Sequence, residues 1–147
     1  MSKILIVDDN VNACYLLKSF LEDMDGMDHD IIVSYNGKDA LEKVKNLKPD
    51  IMLLNIIIED IGGMEILRRV RQFDKSIGII MTSALIDEEI CEKALENGAD
   101  DYITNPFDFD RMNECISAVH IKKNKEQTET RVSNLESRMH DYSFPVV

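Results

Sequence analysis

Tryptophan is missing from the 147-residue chain, and cysteine is scarce, at Cys14, Cys91 and Cys115 only. These three are scattered, none forms a Cys-x-x-Cys pair, and each sits among apolar residues at helical spacing. That pattern excludes a disulfide scaffold and a thiolate metal site, and points to reduced packing cysteines in a cytoplasmic protein. Basic residues are also short: 17 Lys and Arg face 28 Asp and Glu, a formal charge of −11. A surface that grips phosphate backbones needs the opposite sign, so direct nucleic-acid binding is not expected. The longest apolar stretches, Ile4–Val7 and Ile51–Ile58 (interrupted by Asn55), fall far short of the ~20 residues of a membrane span. Met1-Ser2-Lys3 runs straight into a strand-like segment, without the apolar region or cleavage site of a secretion signal. No Gly-rich phosphate loop, nucleophile elbow or catalytic His constellation is present, so an enzyme is not expected. His29 and His120 show no ligand spacing.

What is there is an ordinary globular balance, 44% hydrophobic and 31% charged, enough for one domain with an appended element. The eight methionines read as core filler. Charge is uneven along the chain: residues 1–117 hold 12 basic and 24 acidic residues, residues 118–147 five and four. The pattern changes at the same place.

Before that break, strand and helix signals alternate. Lys3–Val7 is a short β-branched apolar run, as in a strand buried on both faces, and Ile31–Val33, Ile51–Leu54, Ile77–Met81 and Asp101–Thr104 read as four further strands. Between them, Val11, Cys14, Tyr15, Leu17, Lys18 and Leu21 recur at helical spacing after Asp8-Asp9-Asn10. Helices are also expected over Lys38–Leu47, Met64–Phe73 and Asp87–Asn97, the last stopped by Gly98. Asn105-Pro106 breaks the chain before a final helix. Five strands separated by helices predict a parallel α/β sheet covered on both faces. In such sheets the working site lies at the carboxyl ends of the strands, beside the switch in strand order. That rule selects Asp8-Asp9, Asn55, Thr82-Ser83 and Asn105-Pro106.

Two adjacent carboxylates after a first strand can hold a hard divalent cation such as Mg²⁺, or simply cap a helix. A hydroxyl at Thr82 can donate to a phosphate-like oxygen, or cap the next helix. Taken together, order and spacing carry more. Ile6-Val7-Asp8-Asp9-Asn10, Asn36-Gly37-x-x-Ala40-Leu41, Pro49–Leu54, Gly63, Met81-Thr82-Ser83-Ala84 and Gly98–Thr104 with Pro106-Phe107 make residues 1–120 resemble the receiver domain of two-component response regulators. The resemblance implies a flavodoxin-like (βα)5 sheet of order 2-1-3-4-5. It implies a sensor histidine kinase as partner, a phosphoacceptor Asp after strand three, and Mg²⁺ held by that Asp and the acidic pair. On it, Asp8 and Asp9 match the acidic pair, Thr82 the phosphoryl-binding hydroxyl and Tyr102 the aromatic switch.

Two positions depart from the pattern. Asn55 stands at the phosphoacceptor position, and a neutral amide is not a usable nucleophile toward phosphorus. It is also a weaker oxygen ligand for Mg²⁺ than a carboxylate. Asn105 stands at the Lys position and brings no positive charge. The losses balance, since a complete site carries three carboxylates and one Lys while this one keeps Asp8 and Asp9. The loop after strand three has Glu59-Asp60 where the family usually has Pro, which suggests relaxed constraint. The expectation is a degenerate receiver acting by protein interaction. The alternatives are an ordinary regulator with an engineered Asp-to-Asn block, a residual non-covalent switch, and the receiver portion of a hybrid histidine kinase.

After residue 120 the helical pattern continues. Ile121, Lys125, Thr128, Val132, Leu135, Met139 and Tyr142 alternate four and three apart, an a/d seam over about three heptads. Residues 121–147 are therefore read as a helical extension, a coiled coil making a homodimer or a linker to an output or kinase domain. Met139-His140-Asp141-Tyr142-Ser143-Phe144-Pro145 resembles a histidine-kinase phosphoacceptor box, with a plain surface His as the other reading.

Overall fold

The chain is described from a computed structural model over residues 2–23, 28–84, 87–105 and 108–141. Five strands, β1 (Ser2–Val7), β2 (His29–Ser34), β3 (Ile51–Asn55), β4 (Gly78–Ser83) and β5 (Asp101–Thr104), form one sheet of order β2-β1-β3-β4-β5. All four neighbouring pairs are parallel. The helices are α1 (Val11–Glu22), α2 (Gly37–Leu47), α3 (Gly63–Phe73), α4 (Glu88–Glu96) and α5 (Phe109–Asp141).

Strand alternation distributes them on two faces. Leu5, Val7, Met52, Leu54, Ile79 and Met81 pack with α2, α3 and Ala94 of α4. Ile4, Ile6, Ile51, Leu53, Ile80 and Ile103 pack with Cys14, Leu17 and Leu21 of α1 and with Met112, Cys115, Ile116 and Val119 of α5. Parallel strands buried on both sides are continuously apolar for this reason. Burial pushes the Cys14 thiol up to about 11 and the Cys115 thiol up to about 12. Both are packing residues, as expected.

The strands run further than their apolar runs suggest. Asn55 pairs with Thr82 and Ser83 with Thr104, so polar residues at the strand ends still complete the ladder. Of the residues at helical spacing in α1, Cys14, Leu17 and Leu21 are buried, while Val11 is 58% and Tyr15 70% exposed. Their 3.6-residue phase falls to one side of the Cys14–Leu17–Leu21 stripe. Met139 is not core filler either, at 73% exposed.

Helix α5 runs without a break for 33 residues, about 50 Å at 1.5 Å per residue. Asp100 sets its direction of exit. Its nearly buried carboxylate meets Arg71 Nη2 at 3.1 Å, Lys122 Nζ at 3.3 Å and Lys123 Nζ at 3.1 Å, so α3, β5 and the start of the extension meet at one charge. No helix among the described residues is long and apolar enough to cross a membrane. The helix backbone reaches Asp141, but the side chains of His140 and Asp141 and all of Tyr142–Pro145 lie outside the described residues, as do Pro106 and Phe107.

His29 opens β2 with both ring nitrogens buried and unpartnered. Burial, then His120 and the N-terminal amine, hold it below its ordinary 6.5, while Asp28 opposes. The folded state therefore takes up its proton later than the unfolded chain as pH falls. Stability should be unaffected above pH 6.5 and decline as acid is added below it. In thermal melts from pH ~7.5 to ~5, His29→Gln should flatten that decline; an unchanged slope would assign the loss to other groups.

Candidate functional site

The β1 and β3 strand ends lie side by side because Val7 pairs with Leu54. Asp8 follows β1, is 5% exposed, and accepts through Oδ1 from the Asn10 N–H at 2.9 Å. Asn10 in turn caps α1, its side chain accepting from the Ala13 N–H at 3.1 Å. Across the gap, Asn55 Nδ2 donates to Asp8 Oδ2 at 3.0 Å. Asn55 Oδ1 accepts from the Ile57 N–H at 2.9 Å. These two partners fix which way the amide points, since a backbone N–H must face the oxygen and a carboxylate must face the amino group.

Thr82 lies beside Asn55 in the ladder and is 4% exposed. Asn105 continues the pairing beyond β5, its N–H donating to Ser83 O at 2.6 Å. Asp8, Thr82 and Asn105 together line a cleft of about 370 Å³ between α1 and α5, with Ala13, Leu16, Leu17, Ala84 and Phe109 as its other walls. Asp8, Asn55, Thr82 and Asn105 thus converge, as the strand-end rule requires. Asp9 is exposed. Tyr102 is placed elsewhere: it packs against the core on the α2–α4 face, one residue out of phase with Ile103 on the cleft side.

The loop after β3 carries contacts that have no local signature in the sequence. Asp60 accepts from the Gly37 N–H at 2.8 Å and the Lys38 N–H at 3.0 Å, so it binds the N-terminus of α2. Those two N–H groups hold its carboxyl below the usual carboxylate range. Glu59-Asp60 is thus not a sign of relaxed constraint. The acid ties down the loop that presents Ile57 to Asn55. Gly63 closes the same loop, its N–H donating to Ile56 O at 2.8 Å. A Cβ there would overlap the Asn55 carbonyl oxygen and approach Ile56 Cα to 2.7 Å. Gly63→Ala should cost about 2–3 kcal/mol in denaturant unfolding, the usual penalty of overpacking, and broaden the Asn55 amide signals. A neutral substitution would mean that the loop relaxes freely.

The resemblance noted in the sequence implies Mg²⁺ in this acidic pocket. The arrangement of this one does not fit a resident ion. Its donor set is Asp8, whose oxygens both accept hydrogen bonds, the exposed Asp9, and an Asn55 that turns its amino group inward. Among the described residues no group of three or more His, Cys, Asp or Glu could hold a metal. To ligate Mg²⁺, Asn55 would have to turn over, which strands the Ile57 N–H and removes a donor from Asp8.

A doubly wound parallel sheet of order 2-1-3-4-5, with an acidic residue and a hydroxyl at its switch point, defines a flavodoxin-like α/β fold. The chain belongs to the response regulator receiver domain family, which it matches over residues 4–117. It is 37% identical to the response regulator ArlR of Staphylococcus saprophyticus over 120 residues, 81% of this chain and 52% of that protein. It is 34% identical to the alkaline phosphatase synthesis transcriptional regulatory protein PhoP of Bacillus subtilis over 117 residues, 80% of this chain and 48% of that one. A receiver domain protein (CheY-like) from Methanospirillum hungatei superposes with a TM-score of 0.80 at 26% identity, covering 86% of this chain and 98% of that one. The chain spans about a quarter to a half of the curated relatives it matches, the quarter being ZraR of Klebsiella oxytoca. Receiver domains of this family interact with sensor histidine kinases.

Proposed function

We propose that this receiver works by protein interaction rather than by acquiring a phosphoryl group. One observation carries the reading: the Asn55 amide is held between Asp8 and the Ile57 N–H, at 3.0 and 2.9 Å. In that arrangement it neither attacks phosphorus nor offers oxygen to a cation. Catalysis by the chain is not part of this reading, and Thr82, Tyr102 and Asn105 are surface-setting residues without a phosphate to answer to. The residual Mg²⁺ site of Asp8, Asp9 and Asn55 forms only if Asn55 turns over.

The division we propose is a receiver over residues 1–120 and a helical extension over 121–147. The extension's seam is solvent-facing: Ile121, Val132, Leu135 and Met139 are 67%, 48%, 56% and 73% exposed. We read it as the contact of a homodimer. Two of the similar proteins are named as transcriptional regulators; with 28 acidic against 17 basic residues, this chain would reach DNA only through another domain or partner.

Intact mass after incubation with Mg²⁺ and acetyl phosphate tests the reading. The parent chain should gain nothing, Asn55→Asp little, and the Asn55→Asp/Asn105→Lys pair clearly more. Phosphorylation of the parent would overturn it, and equal labelling of the single and double variants would remove the charge-balance argument.

A further inference from the structure

We infer that the cleft beside Asp8 receives a lysine side chain of a partner protein, carried on an apolar segment. This rests on the interaction reading above and names the chemistry of the partner. Asp8, 5% exposed, is held only by neutral donors, the Asn10 N–H and Asn55 Nδ2 at 2.9 and 3.0 Å. Among the described residues no Lys, Arg or His stands within ion-pair distance of it. Buried charges are normally paired, because desolvation is costly unless a counter-charge offsets it. Two neutral donors also leave acceptor positions open on a carboxylate, which has about four.

A second observation lies next to the first. Thr82 is 4% exposed and lines the cleft, bringing a hydroxyl to it. With Asn105, the residues lining the cleft carry a carboxylate, a hydroxyl and an amide. An ammonium group brings three donors and a single positive charge.

The walls choose among cations. Ala13, Leu16, Leu17, Ala84 and Phe109 make the cleft apolar around its polar floor. Hydrated Mg²⁺ keeps several waters and gains nothing from such walls. The four-carbon stem of lysine does gain, since it buries methylenes while its head reaches the charge. At the mouth, Leu16 is 60% and Phe109 43% exposed, places for apolar neighbours of that lysine. The 24 acidic residues against 12 basic over residues 1–117 favour approach of a basic partner to the receiver.

The test is amide-resolved NMR titration of the full chain. The probes are n-butylammonium, n-butanol, MgCl₂ and the peptide acetyl-Leu-Lys-Leu-amide. Butylammonium should shift Ala13, Leu16, Thr82 and Asn105 saturably and bind about tenfold more tightly than butanol, the peptide more tightly still. Asn105→Lys, which places an ammonium in the cleft from within the chain, should weaken the amine about tenfold. Asp8→Asn should do the same, and because that variant alters a buried group, Asn105→Lys on the rim keeps the test decisive. Equal binding of butanol would reduce the cleft to an apolar dent and overturn the inference. So would displacement of the amine by equimolar Mg²⁺, or binding of butylammonium without the peptide, which would indicate a small amine instead of a protein lysine. Failure here leaves the mass measurement untouched, and phosphorylation of the parent leaves this titration untouched, so the two readings fail separately.

Discussion

Asn55→Asp should lower stability by about 2–4 kcal/mol at neutral pH in metal-free buffer, the largest effect expected of any single change in the site. The substitution replaces a donor with an acceptor 3.0 Å from Asp8 Oδ2. Two full charges at that separation repel by about 5 kcal/mol at an effective dielectric of 20. Keeping one of the pair protonated at pH 7 costs about 4 kcal/mol, so the protonated pair sets the ceiling. The pair then titrates as a unit, with one folded-state pKa raised. A raised carboxyl pKa stabilises the fold relative to the deprotonated pair below the unfolded value, and that contribution is lost as pH rises through the folded one. The deficit of the variant should therefore be small near pH 4 and grow toward pH 7. Mg²⁺ should recover much of it, because three carboxylates make the hard oxygen cradle that Asn55 denies, and a ligand that binds only the folded state stabilises it. Adding Asn105→Lys should recover part of it without metal. Urea unfolding at about pH 5 and pH 7.5, with and without ~10 mM Mg²⁺, checks all three. A variant as stable as the parent under metal-free conditions would show that Asn55 is not what neutralises Asp8.

The same site shows where sequence reasoning reaches and where it stops. Asn55 was legible as an anomaly because strand periodicity put it at a carboxyl end and the receiver resemblance implied a carboxylate there. Which way its amide turned was not legible, since that is decided by the Ile57 N–H two residues on and by Asp8 across the sheet. Most strands could be read as local apolar runs, and the helices from apolar residues at helical spacing with Asn, Asp or Gly near their ends. Asp60 could not, because its partners at Gly37 and Lys38 lie 23 and 22 residues away and no local pattern announces the contact. Exposure of Val11 and Tyr15 was hidden for a related reason. A helical spacing marks a stripe, but only the packing of α1 on the sheet shows which side of the stripe faces inward. Tyr102 could be placed on β5 from the sequence, but its face follows from alternation along that strand, which sets it on the α2–α4 side, opposite the cleft that Thr82 lines.

Leu135→Glu should convert a dimer to a monomer, weakening association by about a thousandfold or more. In a parallel coil each Leu135 would be buried against its counterpart, a gain of about 1.5–3 kcal/mol per side chain, and every 1.4 kcal/mol is a factor of ten. The charge pattern argues for the parallel arrangement. With Val132 and Leu135 at a and d, Arg131 falls at g and Glu136 at e, five residues on, so the two would pair across a parallel dimer. Both are exposed in the isolated chain. Lys125 and Thr128 weaken the seam near its start, where Asp100 already holds Lys122 and Lys123 and the receiver keeps the helix formed. Most of the association energy therefore falls on Val132, Leu135 and Met139. Asn134→Glu adds the same charge one position off the seam, and should leave the dimer intact. Light scattering across about a hundredfold range of concentration distinguishes the cases. A parent chain that is monomeric throughout would remove the coil. A dimer that survives Leu135→Glu would place the contact on the receiver itself, where the exposed Val11, Tyr15 and Leu16 of α1 are the next surface to test.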